Sequence, residues 1–205
     1  MPLLASLDIA DSPDIWTDLG FAVTDGLAVV DGVSHRLGTL GTGVVGWSLW
    51  GATARPGQSE IEGLPTTIED GSPPPPITPE HPNGVTGLDH VVVFTPDLTR
   101  SIASFEQAGL ELRRTRDTGG TGGPMRQAFF RLGPVILEVV GPDDASGDGP
   151  ARFFGLAFTC DDLDATARWF GDRLPPPKAA VQEGRRITTL RRSAGSSVAM
   201  AFMSP

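Results

Sequence analysis

The chain has 205 residues, 39% of them hydrophobic, a single cysteine and a formal charge of -9. That length suits one or two compact domains, and no run nears the roughly 20 apolar residues of a bilayer span. Residues 1–84 hold 11 acids and 2 bases while 85–205 hold 14 of each, an acidic balance that repels nucleic acid and anionic membranes and predicts neither as a partner.

The opening MPLLASLDIADSPD lacks the basic and continuous apolar regions of a secretory signal, so a cytoplasmic location is expected. Ser12-Pro13-Asp14-Ile15 then opens a short helix carrying Ile15, Trp16 and Leu19 and stopped at Gly20. Phe21 to Val30, Gly32 to Leu37 and Val44 to Trp50 read as strands. Residues 1–51 are thus expected to form a degenerate β-α-β-β-β module. Residues 52–86 carry eight prolines, including Pro73 to Pro76, with no periodicity, and read as a semi-rigid linker.

Beyond it, GLDHVVVFTPDL (Gly87 to Leu98) predicts a strand at Val91 to Phe94, with Thr95 as N-cap, Pro96 in the first turn and Asp97 at the positive helix end. Leu98, Ile102 and Phe105 give that helix one apolar face, and Gly109 stops it. Strands follow at Leu110 to Arg116, Met125 to Leu132 and Val135 to Val140. The intervening DTGGTGGP leads into Arg126-Gln127-Ala128 rather than a helix, so it is no phosphate cradle. The same order recurs over 153–205. A strand at Phe153 to Thr159 precedes a helix capped by Asp161 or Asp162, with Leu163, Ala167 and Phe170 inside and Gly171 as its stop, and then strands at Ala179 to Glu183, Arg186 to Arg191 and Val198 to Met203. FTPDL answers FTCDDL and EVVGP answers AFMSP, a self-similarity of roughly 60 residues that marks a duplicated unit.

Paired β-α-β-β-β units, one opened by LDHVVVFTPDL and closed by RLGPVILEVVGP, resemble the vicinal oxygen chelate superfamily of glyoxalases, bleomycin-resistance proteins and extradiol dioxygenases. The resemblance covers 85–205 well and 1–51 loosely. It implies an α+β fold whose repeated β-α-β-β-β modules form curved mixed sheets around a central pocket, in a glyoxalase-like domain over 87–205 with modules at 87–142 and 153–205. It also implies metal ligands on the first and last strands of each module.

Strand alternation puts Leu88, His90, Val92 and Phe94 on one face and Val91 and Val93 on the other, under the helix. Ile136, Glu138 and Val140 share a face of the closing strand, where Glu138 is the sole acid in VILEVV. If the two strands are neighbours, as the resemblance implies, His90 and Glu138 converge, the start of a site for iron, manganese, zinc or nickel. Echo alignment puts Phe154 and Ala201 at the equivalent places of the second module, and Leu7 and Ser48 at those of the N-terminal copy. None of these completes a shell of three ligands. His35 reads as a solvated or core-edge residue and in principle a third ligand, and His81 as linker. Cys160 reads as a packing residue. The arginine groups at 113–116, 185–186 and 191–192 read first as solvated strand edges and second as contacts for an anionic substrate.

Two functional readings follow. In one, His90 and Glu138 hold a divalent metal in an isomerase, lyase or dioxygenase acting on a small oxygenated molecule, with Glu138 the catalytic carboxylate or proton carrier. In the other, the protein is a metal-free binding or sequestration protein of the bleomycin-resistance type. Either needs a cavity of about 300 Å³ or more. A third reading makes the pair structural, in modules that serve only assembly. The odd module count points to a homodimer.

Overall fold

A computed structural model describes residues 1–53, 59–75, 77, 79–118, 125–142 and 147–205. The architecture is α+β, built from β-α-β-β-β modules whose strands form two mixed sheets. The first half comprises β1 (Leu3–Ile9), α1 (Pro13–Asp18), β2 (Val23–Thr24), β3 (Leu27–Val30) and β4 (Val33–Leu37), followed by β5 (Val44–Trp50), β6 (Glu60–Ile61) and β7 (Leu64–Glu69). Next come β8 (Val85–Phe94), α2 (Leu98–Gln107), β9 (Glu111–Thr118), β10 (Met125–Leu132) and β11 (Val135–Pro142). The chain ends with β12 (Arg152–Cys160), α3 (Leu163–Phe170), β13 (Lys178–Ala179), β14 (Arg186–Thr189) and β15 (Ala199–Met203).

Strand order is β2-β3-β4-β1-β5-β7-β6 in one sheet and β13-β14-β15-β12-β8-β11-β10-β9 in the other. In each sheet a module's opening strand lies between its own closing strand and the opening strand of an adjacent repeat. β5 therefore does not close the N-terminal module; β4 does. Strands β5, β6 and β7 form a reduced repeat without a helix, and two of them fall within the proline-rich 52–86 segment.

The expected strand Phe21 to Val30 is a hairpin instead. Asp25 and Gly26 both have positive φ (51° and 75°) and close a two-residue turn, with Thr24 paired to Leu27. Asp31-Gly32 and Glu62-Gly63 repeat the device. Consecutive left-handed residues match the twist of flanking strands, which is why Asp-Gly pairs serve there.

Helix α2 begins later than expected. Thr95 is spent in the turn after β8, accepting from the Asp97 amide at 3.1 Å, and Asp97 is the N-cap, its carboxylate accepting from Arg100 N at 2.9 Å. Asp162 caps α3 in the same way, through Ala165 N at 2.8 Å. The buried residues of α2 are Leu98, Ser101 and Phe105, and those of α3 are Leu163, Thr166 and Phe170. A hydroxyl thus takes the place next to each expected apolar position, Ile102 and Ala167.

The chain divides into two compact units. One comprises Met1–Ser6, Gly46–Pro73 and His90–Phe154, and the other Leu7–Val45, Pro74–Asp89 and Gly155–Pro205. The first has a core of Trp47, Phe105, Phe130 and Phe153, with Val91, Val93, Leu137 and Val139 fully buried beneath α2. The second is built on Trp16, Phe21, Phe158, Phe170 and Phe202, in which edge-to-face and tilted ring contacts add to burial worth about 1.5–3 kcal/mol per large apolar side chain. Among the described residues no helix is long and apolar enough to cross a membrane.

Candidate functional site

β8 and β11 run parallel, with His90 opposite Ile136 and Val92 opposite Glu138. This register sets His90 and Glu138 diagonally on one face, away from α2, as strand parity requires. His90 Nε2 lies 3.6 Å from Glu138 Oε2, each side chain 15% exposed. That is an ion-pair separation for a protonated imidazole and too long for a hydrogen bond.

Glu138 is held from the other side. On β10, Gln127 donates its Nε2 to Glu138 Oε1, and its own Oε1 accepts from Arg116 Nε on β9 at 2.8 Å, with Arg116 Nη2 donating to the same oxygen. A polar line of Arg116, Gln127, Glu138 and His90 thus crosses four adjacent strands. Gln127 was not singled out by the sequence, and Arg116 stood out only as one of the 113–116 arginine group, not as a partner of Gln127. The usable signal was parity, since Gln127 alternates with buried Ala128 and Phe130 in MRQAFFRL, but strand register is needed to bring it to Glu138.

Beside this line a cavity of about 240 Å³ is lined by Arg113, Arg114, Phe129, Phe130, Arg131 and Ile136. The Arg114 guanidinium lies 4.8 Å from the Phe129 ring centroid, a cation–π contact. The cavity is smaller than the drug-sized one expected. Residues 119–124, in the glycine-rich DTGGTGGP segment, lie outside the described residues. A larger cavity of about 430 Å³ is lined by Glu60, Glu62, Gly63, Arg100, Gly149 and Pro150 and includes neither His90 nor Glu138 in its lining. The Glu62 carboxylate there is fully engaged by Arg100, Ser101 and Ser104.

The second module supplies no further ligand. Ala201 pairs with Ala157 as Glu138 pairs with Val92, so two residues earlier Gly155, opposite Ala199, stands where His90 stands. Phe154 is not the counterpart. Phe158 and Phe202, fully buried partners, match Val93 and Val139, so the echo between Phe94 and Phe158 is off by one residue, enough to exchange faces. Phe154 instead packs at a tilt against Phe94, with ring centroids 4.4 Å apart. Leu7 is fully buried, and Ser48, on β5, is bonded to the Ser6 hydroxyl. Among the described residues no three His, Cys, Asp or Glu side chains are grouped to hold a metal ion.

The other histidines are structural. His35 is fully buried against Trp16 and Phe158, its Nδ1 3.1 Å from Val33 O, and desolvation pushes its pKa down to about 4. Its Nε2 has no hydrogen-bond partner among the described residues. His81, expected as plain linker, is a latch: Nδ1 accepts from Ala22 N and Nε2 lies 3.0 Å from Val29 O, with burial lowering its pKa. Cys160 is buried, which raises its thiol to about 11 and leaves it unreactive.

Residues 87–173 match the model of the Glyoxalase/Bleomycin resistance protein/Dioxygenase superfamily. Among solved structures, a substituted variant of 4-hydroxymandelate synthase from Streptomyces coelicolor aligns over 98% of this chain and 92% of its own, at 15% identity and a TM-score of 0.68, a likeness of fold alone. Methylmalonyl-CoA epimerase from Mycobacterium tuberculosis aligns over 60% of this chain and 89% of its own, at 23% identity and a TM-score of 0.47. No curated protein matches the chain significantly.

Proposed function

We propose, taking as premise that residues 87–173 belong to the Glyoxalase/Bleomycin resistance protein/Dioxygenase superfamily, that this protein binds a small oxygenated molecule on the face bearing His90 and Glu138, without a resident metal. The observation that carries this reading is the donor set. One imidazole and one carboxylate face each other, and Gly155 and Ala201 occupy the equivalent places of the second module. A catalytic metal ordinarily takes at least three protein ligands, and one Glu138 oxygen is already engaged by Gln127. The residues present therefore do not fit a divalent ion well.

The 3.6 Å gap between His90 Nε2 and Glu138 Oε2 suits a ligand hydroxyl, which accepts from one and donates to the other. Phe129, Ile136 and Val92 supply the apolar wall. The isomerase, lyase or dioxygenase reading assigns Glu138 a proton-moving role, and the same pair would then act on the bound oxygenated carbon. A homodimer belongs to the proposal, checked by light scattering at micromolar concentration.

The deciding measurement is the metal content of untagged protein beside H90A and E138A. Substoichiometric metal in all three is expected. A full equivalent of iron, manganese, zinc or nickel in the wild type, lost in both variants, would sink the metal-free reading and restore metal catalysis.

A further inference from the structure

We infer that the ligand carries an oxyanion, a carboxylate or a phosphate ester, seated in the arginine-lined cavity beside the His90–Glu138 pair. The inference rests on the reading that this face binds a small molecule, and deepens it to a substrate class.

Three of the six residues lining the cavity are arginines, and a local irregularity puts two of them there. Along the β9–β10 ladder Phe129 pairs with Arg114 but Phe130 pairs with Leu112, so Arg113 is skipped. A bulge of this kind re-aims side chains, letting consecutive residues serve one site. Arg113 and Arg114 both line the cavity, with Arg131 joining from β10.

Their charge is only partly neutralised. Glu111 pairs with Arg113 at 2.6 Å, and Arg131 Nη1 donates to Pro134 O at 3.3 Å. Arg114 rests on the Phe129 ring, and among the described residues no carboxylate pairs with it. A guanidinium over an aromatic ring retains in-plane N–H donors, and these can receive a carboxylate or phosphate in two parallel hydrogen bonds. Edge-strand protection explains charge on β9, but not a cavity floored by Phe129 and Ile136.

The register also sets the ligand's length. Arg114 pairs with Phe129, Phe129 pairs with Glu138, and Ile136 pairs with His90. Two strand spacings, about 10 Å between backbones, separate Arg114 from Glu138. With both side chains reaching inward, the occupant is a short molecule with an anionic group at one end, a hydroxyl or carbonyl at the other and an apolar body over Phe129.

The test uses 4-hydroxybenzoate, its neutral counterpart 4-hydroxybenzamide, phenyl phosphate and unsubstituted benzoate as probes. Binding is followed by calorimetry and by the Nε–Hε resonance of Arg114, assigned with R114Q. The expected result is saturable binding of 4-hydroxybenzoate or phenyl phosphate at about 10 mM or below, at least about tenfold tighter than the amide, with the preference lost in R114Q. Whichever anion binds more tightly identifies the oxyanion. Equal affinity for acid and amide, or no anion moving the Arg114 resonance, overturns the inference. E138Q separates it from the reading beneath. If only the hydroxyl-bearing probes weaken in E138Q while R114Q changes nothing, the face binds but the anion site is wrong. If R114Q matters and E138Q does not, the anion site stands and the role given to Glu138 falls.

Discussion

Gln127 and Glu138 are joined by an amide-to-carboxylate hydrogen bond from β10 to β11, although the strand partner of Glu138 is Phe129. The amide reaches diagonally along the sheet, and it can because Arg116 fixes its other end. A carboxylate with 15% exposure inside VILEVV needs such a donor to offset its lost hydration. Replacing Gln127 with Met keeps most of the volume and removes the donor, so we expect Q127M to lose about 1–2 kcal/mol, the scale of a hydrogen bond to a partly buried charge. Urea denaturation at pH 7 measures this, and an unchanged midpoint would mean that Gln127 does not hold Glu138.

His35 makes stability pH-dependent. Burial among Trp16 and Phe158 lowers its pKa to about 4, from 6.5 in the unfolded chain. The unfolded state therefore binds the proton first as pH falls. The stabilising contribution of the neutral imidazole is fully present above pH 6.5 and is lost progressively between 6.5 and about 4, up to ~3 kcal/mol. His81, also lowered by burial, acts in the same direction. Denaturation midpoints should fall between pH 7 and pH 5, and the slope should flatten in H35L. An equal slope in H35L would remove His35 as its source.

The modules were legible because each is punctuated locally, by a cap-type Ser, Thr or Asp before an apolar helix face and by Gly20, Gly109 or Gly171 after it, although the cap of α2 is Asp97 rather than Thr95. The convergence of His90 and Glu138 followed from parity once their strands were neighbours. What was missed depends on neighbours distant in sequence. β6 and β7 are short, and β7 contains Pro65, so composition alone made 52–86 a linker, whereas pairing of β7 with β5 draws it into a sheet. Glu62, within that segment, is the acceptor for Arg100, Ser101 and Ser104, which no local pattern announces. The Asp25-Gly26 turn, by contrast, was present as a dipeptide signal inside an apolar run that reads equally well as one long strand.

Gly155 explains why the second module offers no imidazole. A Cβ at this position would stand 2.2 Å from Ala199 O and 2.9 Å from the Ala199 Cβ, so the parallel pairing of β12 with β15 is closed against any side chain there. The obstruction is backbone, which cannot swing aside as a flexible side-chain end would. We expect G155A to cost about 1–3 kcal/mol, the scale of overpacking, and G155H to cost more and to bind no metal even with A201E beside it. Thermal denaturation gives the first result and metal analysis of the G155H/A201E double variant the second. A G155A protein as stable as the wild type, or stoichiometric metal in the double variant, would show that the second module can accept ligands and that their absence is not imposed by the packing of β12 on β15.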